Sequence, residues 1–128
     1  AYLLAKKGYK VIVLEKNENI GKKVCAGLVS ERVIKLTKSE AVMNEIKGAR
    51  INFPDRREVA IGGDKVHAYV LDRKKFDEEL AEKATAEGVE YKLKFRVRNV
   101  YENRIGEIEF QWLIGADGAR STVAEKLQ

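Results

Sequence analysis

The chain has 128 residues, enough for one domain with a real core but small for a complete cofactor-dependent enzyme. Its 25 Lys and Arg against 20 Asp and Glu give a net charge of +5, yet the signs alternate. That pattern describes a salt-bridge-laced surface, and no basic run interleaved with aromatics speaks for nucleic acid. One cysteine excludes a disulfide framework or a cysteine-rich metal site, and the single His67 has no second ligand at useful spacing.

Ala1 to Gly8 reads as the last turns of a helix closed by glycine. Lys10 to Lys16 is a short β-branched apolar run, the pattern of a parallel strand covered on both faces. A polar turn at Asn17-Glu18-Asn19 leads into an aperiodic loop from Ile20 to Leu28. Ser30 and Ser39 then read as N-caps of two short helices, Glu31 to Leu36 and Glu40 to Ile46. Ala49 to Phe53 alternates with strand period, Pro54-Asp55 turns the chain, and Glu58 to Ile61 pairs back.

Val66 to Leu71 is a further extended stretch before the best helix signal in the chain. Asp72 caps Arg73 to Glu87, with Phe76, Leu80, Ala81 and Ala84 as its apolar stripe and Gly88 as its stop. Val89 to Leu93 reads as a strand. Arg96 to Tyr101 and Glu107 to Ile114 read as an antiparallel hairpin around Asn103-Arg104-Ile105-Gly106, and Thr122 to Leu127 starts a last helix. No stretch approaches the roughly 18 apolar residues that span a bilayer, and no signal peptide is visible, which fits a cytoplasmic protein.

Two strand ends carry an acid. Glu15 closes Val11-Ile12-Val13-Leu14, where a carboxylate could accept from both hydroxyls of a nucleotide ribose or simply face solvent. Asp117 lies in Gly115-Ala116-Asp117-Gly118 after Trp112-Leu113-Ile114; it could take hydrogen bonds from ligand hydroxyls, or it could cap the last helix. Arg73 could fork onto a phosphate or a ribityl oxygen, or pair with Asp77 one turn on. Cys25, among small residues and beside Lys22 and Lys23, could be a thiol of lowered pKa or a small packing side chain.

Four segments in order, Val13-Leu14-Glu15-Lys16, Gly21 to Leu28, Asp72 to Asp77 and Leu113 to Ser121, give the chain a resemblance to the flavin-binding half of the geranylgeranyl reductase family. Within that family the archaeal lipid reductases are the most similar, and the family shares its flavin-binding architecture with para-hydroxybenzoate hydroxylase. The resemblance implies an α/β fold: a three-layer, FAD-binding, Rossmann-like core with a small β-rich insertion. It also implies that residues 1–128 are a partial FAD-binding domain, truncated at both ends. The Gly-x-Gly-x-x-Gly turn belongs before Ala1, and the sheet that covers the lipid belongs beyond Gln128.

Carried over position by position, the resemblance assigns Glu15 to the adenosine ribose of FAD. Cys25, Ala26, Gly27 and Leu28 line the flavin, with Cys25 tuning the reaction rather than forming an adduct. Arg73 meets the ribityl-phosphate region, Val97 on the strand after the helix meets adenine through its backbone, and Asp117 sits near the pyrophosphate. The implied reaction is reduction of isolated carbon–carbon double bonds in isoprenoid lipid chains, with hydride from reduced flavin and NAD(P)H or ferredoxin as the external electron donor. The implied partner is an isoprenoid lipid reached by peripheral membrane contact. Two rivals stand beside it: a flavin-dependent aromatic hydroxylase and a non-catalytic binding module.

Overall fold

A computed structural model describes residues 1–21 and 24–126. Helix α1, Tyr2–Ala5, leads through Gly8, at φ +86°, to strand β1, Ile12–Leu14. Strand β2, Leu28–Val29, and helix α2, Glu31–Thr37, follow. Next come strands β3, Val42–Ile46, β4, Gly48–Asn52, β5, Glu58–Gly62, and β6, Ala68–Leu71. Helix α3, Arg73–Ala86, precedes β7, Glu90–Lys92, the short strands β8, Arg104–Ile105, and β9, Ile108–Glu109, and helix α4, Thr122–Lys126.

The fold is α/β. The apolar run after Gly8 pairs in parallel with β7, Ile12 against Glu90 and Leu14 against Lys92, and α1 lies against α3. The β-rich insertion between them is an antiparallel sheet in the order β2-β6-β3, followed outward by the β4-β5 hairpin. Its core is Ala41, Leu71 and Phe76, packed by Val29, Val33, Ile34, Tyr69 and Leu80, so α2, α3 and the three-stranded sheet share one apolar interior. The α3 stripe behaves as its spacing predicts: Phe76, Ala81 and Ala84 are buried, and Asp72 Oδ1 accepts from the Lys75 N–H at 3.1 Å.

Three expectations need correction. Glu40 to Ile46 is not a helix capped by Ser39. Val42–Ile46 is a strand on β6, because the ladder and the burial of Ala41 against Leu71 and Phe76 outweigh the helix propensity of Glu40, Ala41 and Met43. Ser39 instead lies buried and turns its hydroxyl onto the Ala41 N–H at 3.1 Å.

The second correction concerns the Arg96 to Ile114 hairpin, which shrinks to Arg104–Ile105 against Ile108–Glu109 around Gly106 at φ +59°. Trp112 to Ile114 is not a strand, and Trp112 and Ile114 are 83% and 70% exposed: alternation alone brings no partner to close a ladder. The third is Val97, which the resemblance put on a strand. It lies half-buried in an irregular segment after β7, which ends at Lys92 once β1 offers no further residue to pair. Ser30 stands at the N-cap of α2 but makes no side-chain capping bond.

Candidate functional site

The segment before β2 is held by its glycine. Gly27 has φ +72°, and a Cβ there would overlap the carbonyl of Leu71, so backbone meets backbone directly. In return the Leu71 N–H donates to the Gly27 carbonyl at 3.0 Å, and Leu28 pairs with Val70. This close approach brings Cys25, Ala26, Gly27 and Leu28 to the start of α3.

There Arg73 Nη1 donates to Cys25 Sγ at 3.3 Å, while Nη2 reaches Asp77 Oδ1 at 2.9 Å and Oδ2 at 3.2 Å. The i, i+4 pairing weighed from sequence is therefore present, and so is a second contact that sequence spacing could not show. The Arg73 guanidinium also lies 5.7 Å from the centre of the Phe76 ring. Its Nε is buried and has no hydrogen-bond partner among the described residues. A buried N–H without an acceptor is costly, and it gives this corner an unused donor.

Cys25 is exposed, and the Gly27 N–H at 3.5 Å from its sulfur holds the thiol below its ordinary value of 9.0, with Arg73 adding to that against the opposing cost of desolvation. Lys22 and Lys23, which the sequence also set beside the thiol, lie outside the described residues.

Glu15 stands at the carboxyl end of the parallel pair, the edge where open α/β sheets receive ligands. Its Oε1 accepts from the Asn17 N–H at 2.8 Å. Its backbone carbonyl accepts from the Phe95 N–H at 2.9 Å, which starts the segment carrying Val97 past the same sheet edge.

Asp117 is placed differently. Its Oδ1 accepts from the Ser121 hydroxyl at 2.6 Å and its Oδ2 from the Val123 N–H at 3.2 Å, so the carboxylate caps α4. The Ser121 hydroxyl is the main reason that its pKa lies below the ordinary 3.8, helped by the Val123 N–H. Among the described residues no hydrogen bond joins Asp117 to Glu15 or to the Cys25–Arg73 corner. The structure thus gathers Cys25, Ala26, Gly27, Leu28 and Arg73 in one place, carries Glu15 and Val97 on segments that neighbour each other, and engages the Asp117 carboxylate with Ser121 and Val123.

Ser39 and Glu79 were not legible as site neighbours. The Ser39 hydroxyl donates to Glu79 Oε2 at 2.5 Å across 40 residues of sequence, and Ser39 read as a helix cap. Among the described residues no group of three or more His, Cys, Asp or Glu could hold a metal ion, and no helix is long and apolar enough to cross a membrane.

Parallel strands flanked by helices, with an antiparallel insertion brought back onto the helix that carries Arg73, define the class as an α/β protein. A geranylgeranyl bacteriochlorophyll reductase-like protein from Thermoplasma acidophilum matches with a TM-score of 0.62 and 31% identity, over 73% of this chain and 26% of that one. No protein-family model matches the chain.

Among curated proteins, the digeranylgeranylglycerophospholipid reductase of Methanococcus vannielii is 31% identical over 98% of this chain and 36% of its own length. That of Methanothrix thermoacetophila is 37% identical over 93% of this chain and 36% of its own length. That of Methanocaldococcus jannaschii is 33% identical over 98% and 36%. The chain therefore spans about a third of the length of the curated relatives it matches, and over that span it is similar to digeranylgeranylglycerophospholipid reductases.

Proposed function

We propose that the chain forms the cofactor-holding part of an FAD-dependent reductase that saturates carbon–carbon double bonds of geranylgeranyl chains in archaeal-type lipids. The observation that carries the reading is the corner formed by Arg73 and Cys25, in a chain whose relatives are named for that reaction. The buried Arg73 Nε–H lacks an acceptor, and FAD is a group rich in acceptor oxygens, so the residues present fit it.

On this reading Arg73 holds the ribityl-phosphate region, and Cys25, Ala26, Gly27 and Leu28 line the flavin. Gly27 keeps the loop flat against β6, which leaves the Cys25 thiol on the exposed side. Glu15 accepts from the ribose hydroxyls, Val97 offers its backbone to adenine, and Asp117 stays near the pyrophosphate through the turn it organises. When bound, reduced flavin supplies a hydride to one carbon of the double bond, and a proton completes the other. Cys25 takes no covalent part, since hydride transfer needs no protein nucleophile. The isoprenoid substrate implies peripheral contact with a lipid surface.

The test transplants these 128 residues into the matching segment of the Methanococcus vannielii protein. Bound flavin is read by visible absorbance and lipid reduction by mass spectrometry. The chimera should retain flavin, and Arg73→Met should weaken it roughly tenfold or more, the worth of a charged hydrogen-bond donor. A folded chimera empty of flavin would sink the cofactor reading. One that holds flavin but leaves geranylgeranyl chains unreduced would sink the substrate reading.

A further inference from the structure

We infer that Ser39 and Glu79 are a positioning pair that sets Arg73 against Cys25. The contacts form a closed path. Glu79, on α3, accepts the Ser39 hydroxyl at 2.5 Å and the Glu40 N–H at 3.2 Å. The same Ser39 oxygen accepts from the Ala41 N–H at 3.1 Å. Ala41, almost wholly buried, accepts the Asp72 N–H on its carbonyl at 2.9 Å, and Asp72 in turn caps α3 through the Lys75 N–H. One turn beyond Glu79, Lys83 Nζ donates to the carbonyls of Thr37 at 2.8 Å and Lys38 at 3.2 Å, fastening the end of α2 to the same helix face.

From its cap at Asp72 to Lys83, α3 is thus tied to residues 37–41. Arg73 is the next residue after the cap, and Leu71, just before the cap, holds the Gly27 carbonyl two residues from Cys25. A slip of α3 along the β3–β6 pair moves the guanidinium relative to the thiol, and the Ser39–Glu79 bond, buried at its Ser39 end, resists that slip together with the Lys83 bonds one turn on. Neither residue touches Cys25 itself.

The inference rests on the proposed reading only for the use made of the Arg73–Cys25 contact, and its readout needs no flavin. Cys25 is alkylated with iodoacetamide across a range of pH in the wild-type chain, in Ser39→Ala and in Glu79→Gln, each with and without Arg73→Met. Urea melts report whether each variant is folded. Ser39→Ala should slow alkylation at pH 7 about twofold to tenfold, the worth of one weakened hydrogen bond, when Arg73 is present, and should change nothing in the Arg73→Met background. Glu79→Gln, whose amide oxygen still accepts from Ser39, should match the wild type. If Ser39→Ala does not fold, Glu79→Ala, at a residue that reaches the surface, gives the same comparison. A folded variant that matches the wild type, or one that slows alkylation equally without Arg73, would overturn the inference. A flavin-free chimera with this coupling intact would sink the earlier reading alone.

Discussion

Helices α3 and α4 each begin beside a charged residue singled out from sequence, Arg73 at the first position of α3 and Asp117 in the turn before α4, and the two are held in different ways. At α3, Arg73 meets Cys25 from 48 residues earlier, and Glu79 meets Ser39 from 40 residues earlier, over a buried Phe76. At α4, the partners of Asp117 are Ser121 and Val123, no more than six residues away. A charge that organises its own turn can be kept or lost with little consequence elsewhere. A charge whose partners arrive from a distant segment makes the helix and that segment fold as one piece, and this is the better place for a binding corner.

The comparison breaks most easily in the interior. Phe76→Ala should cost about 3–5 kcal/mol, because it empties the shared core beneath Arg73. Val123→Ala, at the buried position of α4, should cost about 1–2 kcal/mol. Urea denaturation midpoints of the two variants measure this, and equal losses would mean that α4 is as deeply coupled as α3.

Arg73→Met comes next. Two of its charge-assisted hydrogen bonds to Asp77 are lost, at a site mostly shielded from solvent, and stability should fall by about 1–2 kcal/mol. In the same variant the alkylation midpoint of Cys25 should rise, because the guanidinium that helps the Gly27 N–H to lower it is gone. A midpoint that does not move would show that the guanidinium and the thiol do not interact in solution.

Asp117→Asn sharpens the other half. The carboxylate is lowered below 3.8 in the folded chain, so its capping contribution is complete above that pH and is lost as pH falls through the lower folded value. In the wild type, the Val123 amide proton should lose protection from exchange only below pH 3.8. The Asn variant should show no such acid-dependent step, while Cys25 reactivity stays unchanged. A change at Cys25 would join two regions that no hydrogen bond among the described residues connects.

The smallest effect belongs to the β4-β5 hairpin. Ile61 and Val59 are exposed on its apolar face, and Arg50 pairs with Glu58 on its polar face at 3.4 Å. Ile61→Thr should shift stability by no more than about 0.5 kcal/mol in thermal melts of the chain. A larger loss would mark that face as part of the core.

Elements that carry their own signals were legible before any contact was known. Asp72 with the Phe76, Ala81 and Ala84 stripe, the Gly48–Asn52 and Glu58–Gly62 hairpin and the apolar run at Ile12–Leu14 all stand where pattern put them. Val42–Ile46 failed because its residues are good helix formers and its strand exists only through β6, a partner that no local window contains. Trp112–Ile114 failed in the reverse sense: the alternation is genuine, but pattern alone does not bring a partner strand.

At the candidate site, Arg73–Asp77 followed from helix spacing, whereas the Arg73–Cys25 contact spans 48 residues that no spacing rule connects. The Ser39–Glu79 contact left no trace at any period, since it joins two residues whose neighbourhood only the folded sheet creates.

The parallel pairing of β1 with β7 has a consequence in time. Ile12 and Glu90 are neighbours in space only after the whole insertion and α3 have been laid between them, and the ladder that rewards the closure is three residues long. Such a pairing returns little for the entropy of closing so large a loop, so it forms late and opens early. The antiparallel sheet β2-β6-β3 with α2 and α3 is then expected to collapse first. The edge carrying Glu15 would be completed last on the way to the native state and would exchange its amide protons fastest.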